Sequence, residues 1–218
     1  MAIGRNGLWG MVILLGLYGM GGASALAEEG NGKEEEKGWI SLFNGKDLDG
    51  WKIPQFGGEG EVTVENGCMK IGMGVMVSGA VYTKTFPKNN YELQWEANRT
   101  LGNDFFGSLT FPIGEEFATF ITGGWGGGVF GISCIDGMDA SENDTMQLIA
   151  TKSEKWYTFR VRVTDDKVEC FVDGKKIIDR SRDGATFKTR FEVEYSEPLG
   201  ILTYCCEALI KNIRYRNL

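Results

Sequence analysis

The side chains that could do acid–base chemistry in this sequence are mainly carboxylates, because the 218-residue chain contains no histidine. Ser-His-Asp and Cys-His catalysis are therefore excluded, and so are metal sites ligated by histidine. Three carboxylates stand in segments that suit a site. Glu96 lies in an alternating strand pattern, while Asp104 and Glu116 flank the segment FFGSLTFPIG. We take Glu96, Asp104 and Glu116 as the candidate catalytic acids and bases.

A tryptophan surrounded by glycines is the clearest candidate for contact with a ligand. Trp125 follows Gly123 and Gly124 and precedes three more glycines, so little neighbouring side-chain volume covers it. An exposed indole face is a good platform for the apolar face of a pyranose ring. In the alternative interpretation, Trp125 folds back into the core and the glycines only turn the chain. The sequence leaves both open.

An acidic loop after the tryptophan adds polar candidates. The segment from Arg99 to Thr145 ends in DGMDASENDT, whose oxygen-bearing side chains could bind sugar hydroxyls or a calcium ion. The spacing does not match the EF-hand loop, and a solvated acidic loop is the alternative. With Trp125, we predict Arg99, Asp139 and Asn143 as substrate-binding residues. We expect that the protein requires no cofactor, and we assign no metal ligand. Calcium is the one ion that this loop could bind.

The charge composition limits the classes of partner that the protein is expected to bind. The chain has 23 Lys and Arg against 30 Asp and Glu, a formal net charge of −7. Because it has no basic cluster, we expect the chain to bind nucleic acid and anionic membranes poorly, since contacts to phosphate groups need many Lys and Arg side chains close together. A neutral carbohydrate suits this composition better.

The five cysteines have no CxxC spacing, and we expect most of them to be small buried apolar residues.

The N-terminal residues are expected to lie outside the folded domain. Residues 1–27 combine Arg5, an apolar run at 8–20 and the small-x-small pattern at 25–27, which is typical of a cleaved signal peptide. An uncleaved anchor is the alternative. Residues 28–37, EEGNGKEEEK, have the composition of a charged flexible tether. We therefore expect a secreted or periplasmic protein with no membrane contact after cleavage.

From Gly38 onward the sequence consists of strand and turn patterns. Apolar and polar residues alternate in YELQWEANR at 91–99 and in WYTFRVRV at 156–163, and the dipeptides Asn66-Gly67 and Asp173-Gly174 favour hairpins. Helical character is expected at most in a short stretch at 181–188. Many short strands with regular turns predict an all-β fold, a concanavalin A-like β-sandwich or jelly roll, as a single domain over residues 38–218.

The polar face of the first alternating strand has two possible environments. In a jelly roll, such a face often lines the concave groove when it is on an inner strand and is simply solvated when it is on an outer strand. Arg160 and Arg162 show the same ambiguity and could pair with its acids. The face carries Glu92, Gln94, Glu96 and Asn98.

The segment GWISLFNGKDLDGW at 38–51 resembles the opening motif of the 3-keto-disaccharide hydrolase domain family. Similarity continues at VTVENGCMKIG, at YELQWEANR and along the hairpin WYTFRVRVTDDKVECFVDGKKIID, and more weakly at IKNIRYRNL. It spans nearly all of residues 38–218 in the family's order. Within the motif, we expect Phe43 and Trp51 to fix a glycine turn to the sandwich, with Asn44 and Asp47 bonding to the turn backbone.

The resemblance implies an exported jelly roll that acts on sugars oxidised at C3. The ketone acidifies the proton on C2, so a base can remove it and the C1 substituent can leave by elimination. Water then adds across the double bond, and the net reaction is hydrolysis. Members carry an Asn-Ser-Gly-like segment where this chain has NDFFGSLTFPIG, and a Gln-x-His-Gly-like segment where it has LGILTYCCEA. A non-catalytic glycan-binding module and a laminin-G-like adhesion module therefore stay open as alternatives.

Overall fold

The computed structural model describes residues 38–218, which form two antiparallel sheets packed face to face. The predicted all-β sandwich is confirmed. The predicted signal peptide and tether, residues 1–27 and 28–37, lie outside the described residues. Within the described part, no helix has both the length and the apolar character needed to cross a bilayer.

Residues 38–218 contain fifteen strands, most of them short. In chain order they are β1 (Ile40–Ser41), β2 (Trp51–Lys52), β3 (Val62–Glu65), β4 (Cys68–Ile71), β5 (Val77–Tyr82), β6 (Tyr91–Leu101), β7 (Phe106–Ile113), β8 (Glu116–Gly123), β9 (Val129–Ser133), β10 (Gln147–Leu148), β11 (Trp156–Val163), β12 (Lys167–Val172), β13 (Lys175–Ser181), β14 (Gly200–Tyr204) and β15 (Glu207–Asn217).

The strand order places the two last strands in the middle of the two sheets. The first sheet runs β13-β12-β11-β6-β15-β4-β3, with β1 also paired to β15. The second sheet runs β10-β9-β8-β7-β14-β5-β2. Strand β15 therefore separates β6 from β4, and β14 separates β7 from β5. In both sheets, the inner strand pairings therefore join residues that are far apart in sequence.

An aromatic core fills the space between the sheets. The alternation predicted for β6 is confirmed, since Tyr91, Leu93 and Trp95 are fully buried. The Trp95 ring lies 5.6 Å from that of Phe159 and 6.4 Å from that of Phe120, measured between centroids. Its indole N–H donates to the carbonyl of Gly107 over 2.8 Å, so the one polar atom of this large side chain is satisfied.

Charged side chains cover the outer face of the first sheet. Glu92, although 3% exposed, accepts a 2.8 Å hydrogen bond from Arg216 Nε and lies 3.7 Å from both Arg160 and Arg162. The predicted pairing of these arginines with an acid of β6 is confirmed for Glu92. The polar face of β6 thus lies on the outside of the first sheet, where Glu96 pairs separately with Lys211.

The opening motif is a structural turn, as expected. Phe43 and Trp51 are each 7% exposed, and the Trp51 indole N–H donates to the carbonyl of Leu42 over 2.8 Å. Asn44 Oδ1 accepts two backbone N–H groups of the turn, and Asp47 Oδ1 accepts a third. The turn side chains therefore bind their own backbone and fix the start of the sandwich.

The helical segment lies later in the chain than the sequence suggested. Residues 181–188 end β13 and then form a turn around Gly184, whose φ of +67° suits glycine and interrupts a helix. A 3₁₀ helix instead spans Phe191–Ser196. The Ser196 hydroxyl donates to Thr110 Oγ1 over 2.7 Å, which fixes the end of this helix on the outer face of the second sheet.

Replacing Trp95 by alanine is expected to destabilise the fold strongly. The change removes a fully buried indole and leaves a cavity among aromatic rings, so we expect a loss of about 3–5 kcal/mol in the free energy of unfolding. Urea denaturation followed by circular dichroism measures it. Leu148→Ala, at a side chain that is 75% exposed, is the control and should change stability by less than about 0.5 kcal/mol. Equal effects of the two changes would contradict this account of the core.

Candidate functional site

A cavity of about 250 Å³ lies on the outer face of the second sheet. Strands β5, β8, β9 and β14 form its floor, and loops and the 3₁₀ helix form its walls. Its lining combines apolar, aromatic, hydroxyl and charged side chains. They are Met76, Val77, Asp104, Phe105, Thr119, Ile121, Trp125, Ser133, Arg190, Glu192, Val193 and Tyr204.

Strand register decides which side chains reach the cavity floor. Thr119 of β8 pairs with Ser133 of β9, and Val77 of β5 pairs with Tyr204 of β14. Paired residues point to the same face of a sheet, and successive residues point to opposite faces. Because Phe120 is in the aromatic core, Thr119 and Ile121 on either side of it point outward into the cavity.

One end of the cavity is a chain of linked polar groups. The Ser133 hydroxyl donates to Asp139 Oδ1 over 3.2 Å, and Asp139 Oδ2 accepts from Arg190 Nη1. Arg190 also donates through Nε and Nη2 to the two oxygens of Glu192, at 3.1 and 2.9 Å. Arg190 therefore bridges two carboxylates, and this fork geometry fixes the guanidinium at the cavity wall. We call Thr119, Ser133, Asp139, Arg190 and Glu192 the polar end.

The Arg190–Glu192 pair sets the charge of this end. Hydrogen bonding from Arg190 lowers the pKa of the Glu192 carboxyl, and this outweighs the opposite effect of burial. In return, the hydrogen bond to Glu192 raises the pKa of Arg190. Cys134 beside them is different, because burial raises the pKa of its thiol. At neutral pH the polar end therefore presents a carboxylate and a guanidinium, with the neighbouring thiol protonated.

The opposite end of the cavity is aromatic. The rings of Phe105 and Tyr204 lie 5.6 Å apart with an interplanar angle of 40°. The Tyr204 backbone N–H donates to the Phe105 carbonyl over 3.1 Å, so the two residues are fixed side by side. Met76 and Val77 join them from the start of β5. We call Met76, Val77, Phe105, Trp125 and Tyr204 the aromatic end.

Trp125 extends from a tight glycine turn at the aromatic end. Its side chain is 46% exposed and lines the cavity, so the chain does not fold the indole back into the core. The residue has φ 50° and ψ 50°, a left-handed conformation that is uncommon outside glycine. Gly127 is required nearby, because a Cβ there would lie 2.7 Å from the Asn103 carbonyl. Backbone geometry therefore holds the indole out at the cavity.

Asp104 ties this turn to the rest of the site. Its Oδ2 accepts the Gly126 N–H over 2.9 Å, and its Oδ1 accepts the Phe105 N–H over 2.8 Å. Its backbone is held in turn, since the N–H contacts Cys206 Sγ at 3.0 Å and the carbonyl accepts from Arg99 Nη1 at 3.2 Å. Asp104 thus lines the cavity and anchors the turn that carries Trp125, and its catalytic role stays a prediction.

The other two predicted catalytic carboxylates lie outside the cavity. Glu96 is on the outer face of the first sheet, where it accepts a 2.7 Å hydrogen bond from Asn212 and pairs with Lys211 at 3.4 Å. Glu116 is exposed at the start of β8, at the end of that strand far from Trp125. The sequence shows that Glu96 is on a polar strand face but does not say which sheet the strand joins.

The predicted binding residues divide into supporting and lining roles. Arg99 is 5% exposed and donates to Thr151 and to the Asp104 carbonyl, so it supports the aromatic end from behind. Asp139 holds Arg190 in the polar end. Asn143 is 7% exposed, and its side-chain amide donates to the carbonyl of Ile132 over 2.8 Å. This hydrogen bond uses the Asn143 amide within the loop. Of the predicted substrate-binding set, Trp125 alone lines the cavity directly.

Sequence reasoning missed most of the cavity. Arg190 and Glu192 belong to a segment without strand or helix periodicity, and Thr119 and Ser133 are ordinary strand residues until the register is known. One sequence feature pointed to the position of Tyr204. The residue lies in LGILTYCCEA, where the chain departs from the family pattern. That departure includes β14, which forms part of the cavity floor.

The acidic loop is tied down by hydrogen bonds and ion pairs. Asp136 Oδ1 accepts from both the backbone N–H and the hydroxyl of Thr186, and Asp144 lies 3.4 Å from Arg180. Within residues 38–218, no three carboxylate or thiol side chains converge as metal ligands would. The calcium site stays a prediction. None of the five cysteines is in a disulfide, and Cys68, Cys170 and Cys206 are buried, as expected.

The chain belongs to the 3-keto-alpha-glucoside-1,2-lyase-like domain family, whose model matches residues 38–218. This is a carbohydrate-active family, and the match covers all of the described sandwich. The family suggested by the sequence motifs is confirmed. No match was found among curated protein sequences.

Solved structures share the fold at low sequence identity. A candidate glycosyl hydrolase from Parabacteroides distasonis is 19% identical with a TM-score of 0.54, over 85% of this chain and 96% of its own. The carbohydrate-binding module CBM66 of Bacillus subtilis is 14% identical with a TM-score of 0.50, over 80% and 99%. A galectin-like protein of unknown function from Bacillus subtilis is 11% identical with a TM-score of 0.57, over 82% and 94%.

Asp104→Ala is expected to release the glycine turn. The change removes both acceptors of backbone N–H groups, so we expect a loss of about 1 kcal/mol in stability and a new environment for Trp125. Fluorine NMR of protein labelled with 5-fluorotryptophan reports that environment, with the resonance assigned by Trp125→Phe. Glu116→Ala is the control, because that carboxylate is exposed and far from the turn. An unchanged Trp125 resonance in Asp104→Ala would show that the turn does not depend on this anchor.

Proposed function

We propose that the cavity binds a glycoside oxidised at C3 and cleaves it by elimination followed by hydration. Four features support this: the family, the carboxylate and guanidinium at the polar end, the hydroxyls of Thr119 and Ser133, and the exposed indole of Trp125. The single observation that carries the proposal is the Arg190–Glu192 pair at the cavity wall. It supplies a base and a hydrogen-bond donor for the ketone side by side.

Glu192 is the base in this proposal, and Arg190 faces the ketone oxygen. Glu192 removes the C2 proton, and the C–H electrons move into an enolate whose negative oxygen is at C3. When the ketone re-forms, the C1–O bond breaks and the leaving oxygen takes the proton from Glu192. Water then delivers its hydroxyl to C1 and a proton to C2.

The charge balance around Arg190 favours this step. As the proton moves, the negative charge passes from Glu192 to the enolate oxygen, and the guanidinium faces an anion both before and after. A guanidinium has five N–H donors, of which Arg190 uses three in its bonds to Asp139 and Glu192. Donors thus remain for the developing enolate, and Asp139 keeps Arg190 in place when Glu192 becomes neutral.

Glu192→Gln is expected to abolish turnover while the fold is retained. Removal of a general base costs about 100- to 10,000-fold in rate, and glutamine keeps the shape of the side chain. The assay measures release of 4-nitrophenol from both anomers of 4-nitrophenyl 3-keto-glucoside. Glu96→Gln and Glu116→Gln are matched controls outside the cavity and should retain activity. Activity that survives Glu192→Gln but is lost in Asp104→Asn would assign the base to Asp104 instead.

The pH dependence follows from the lowered pKa of Glu192. The residue must be ionised to act as base, so activity should persist as the pH falls through the ordinary glutamate range of about 4.3 and be lost only below it. Arg190→Gln removes the main cause of the shift. Its residual activity should therefore fall off at a higher pH than that of the parent protein. An acidic limb at the same pH in both proteins would contradict the assignment.

A glycan-binding module is the second candidate. The observation that favours it is that the two carboxylates that line the cavity directly are already hydrogen-bonded through both oxygens, Asp104 to backbone N–H groups and Glu192 to Arg190. Groups fixed in this way can hold ligand hydroxyls without transferring a proton. In that case glycans would bind, Trp125→Ala would weaken binding, and no 3-keto-glycoside would be cleaved.

We also propose export, with cleavage after residue 27. The support is the pattern of a charged start, an apolar run and small residues at 25 and 27. Expression in a bacterium with a periplasm, followed by N-terminal sequencing, should give a mature protein that begins at Glu28. Replacing Ala25 and Ala27 by leucine should block processing. A cytoplasmic product that keeps its first residues would contradict export.

A further inference from the structure

We infer that the cavity accepts a glycoside whose leaving group carries an aromatic ring, with that ring bound at the aromatic end. This inference rests on the proposed function, because it names the substrate class of the same site. It follows from the way polar and apolar groups are separated along the cavity.

Register fixes the distance between the two ends. Gly200 and Thr119 both pair with Thr110, so they lie in one row across the sheet beside the polar end. Tyr204 lies four residues further along β14, which corresponds to about 13 Å along the strand. Ile121 and Val193 line the cavity between its polar and aromatic ends, and both are apolar. A ligand that reaches from Arg190 to Tyr204 therefore passes from a charged environment into an apolar one.

The aromatic end presents both faces and edges of rings. Phe105 and Tyr204 are tilted by 40°, and Trp125 projects from the turn on the same side of the cavity. Aromatic guests prefer such offset and edge-to-face arrangements. Met76, which is 44% exposed, adds a polarizable thioether that adapts to a flat ring. Val75 beside it is 77% exposed and extends this apolar surface beyond the cavity.

Hydrogen-bonding capacity at this end is too small for a second sugar. A pyranose carries several hydroxyls, and burying each one unpaired costs free energy. Both Asp104 oxygens already accept backbone N–H groups, and the Tyr204 N–H and the Met76 carbonyl are paired within the protein. Among the residues that line this end, Tyr204 adds one hydroxyl and Trp125 one indole N–H donor, which together are fewer than the hydroxyls of a pyranose. An aromatic ring needs no such partners.

The test compares leaving groups that differ in the ring but leave with the same kind of alkoxide. The substrates are 2-phenylethyl 3-keto-glucoside, ethyl 3-keto-glucoside and a 3-keto-disaccharide, each compared by kcat/KM. We expect the phenylethyl compound to exceed the ethyl one by about tenfold, since an apolar pocket discriminates to that degree. Tyr204→Ala and, independently, the more exposed Met76→Ala should reduce the preference. Leu148→Ala lies outside the cavity and should keep it.

A binding measurement separates this inference from the proposed reaction. Calorimetric titration with unoxidised 2-phenylethyl glucoside and ethyl glucoside gives the preference without turnover. Tighter binding of the phenylethyl compound that is lost in Tyr204→Ala supports the aromatic subsite even if no substrate is cleaved, and the proposed reaction alone then fails. Turnover with equal kcat/KM for the phenylethyl and ethyl substrates, or faster turnover of the disaccharide, overturns the inference and leaves the reaction standing.

Discussion

The packing of aromatic side chains between the sheets is the constraint on which the site depends. Trp95, Phe120 and Phe159 fill the interior, and the inward position of Phe120 forces Thr119 and Ile121 outward. A one-residue slip of β8 would exchange these faces, so the core that stabilises the sandwich also decides what lines the cavity. The floor of the site is thus the reverse side of the hydrophobic core. Stability and function are set by the same register.

The cavity walls have a different origin from its floor. The turn that carries Trp125 is held by Asp104, whose backbone is in turn held by Arg99 and by the sulfur of Cys206. The opposite wall is the 3₁₀ helix, fixed to the sheet through Ser196. Each wall is therefore a short irregular segment fastened by a few side-chain hydrogen bonds. A rigid floor with walls of this kind permits the lining to change while the sandwich is kept.

The sequence predicts the fold well because strand alternation is a local property. Tyr91, Leu93 and Trp95 are buried as their spacing requires, and the opening motif forms the expected turn. The exposure of Trp125 could also be proposed from its glycine neighbours. Glu96 shows the limit, because a polar strand face looks the same on either sheet. Arg190 and Glu192 could not be found at all, since their meeting with Ser133 depends on contacts between segments far apart in the chain.

The order of the strands has a consequence for biosynthesis. Among residues 38–218, β14 and β15 follow all other strands in sequence, yet each lies inside a sheet and not at its edge. A ribosome that has delivered β1 to β13 has released two sheets that each lack an inner strand, with backbone groups unpaired on both sides of the gap. Tyr204 arrives with β14. The sandwich of residues 38–218 thus gains the full lining of its cavity and its continuous sheets only after β14 and β15 have been synthesised.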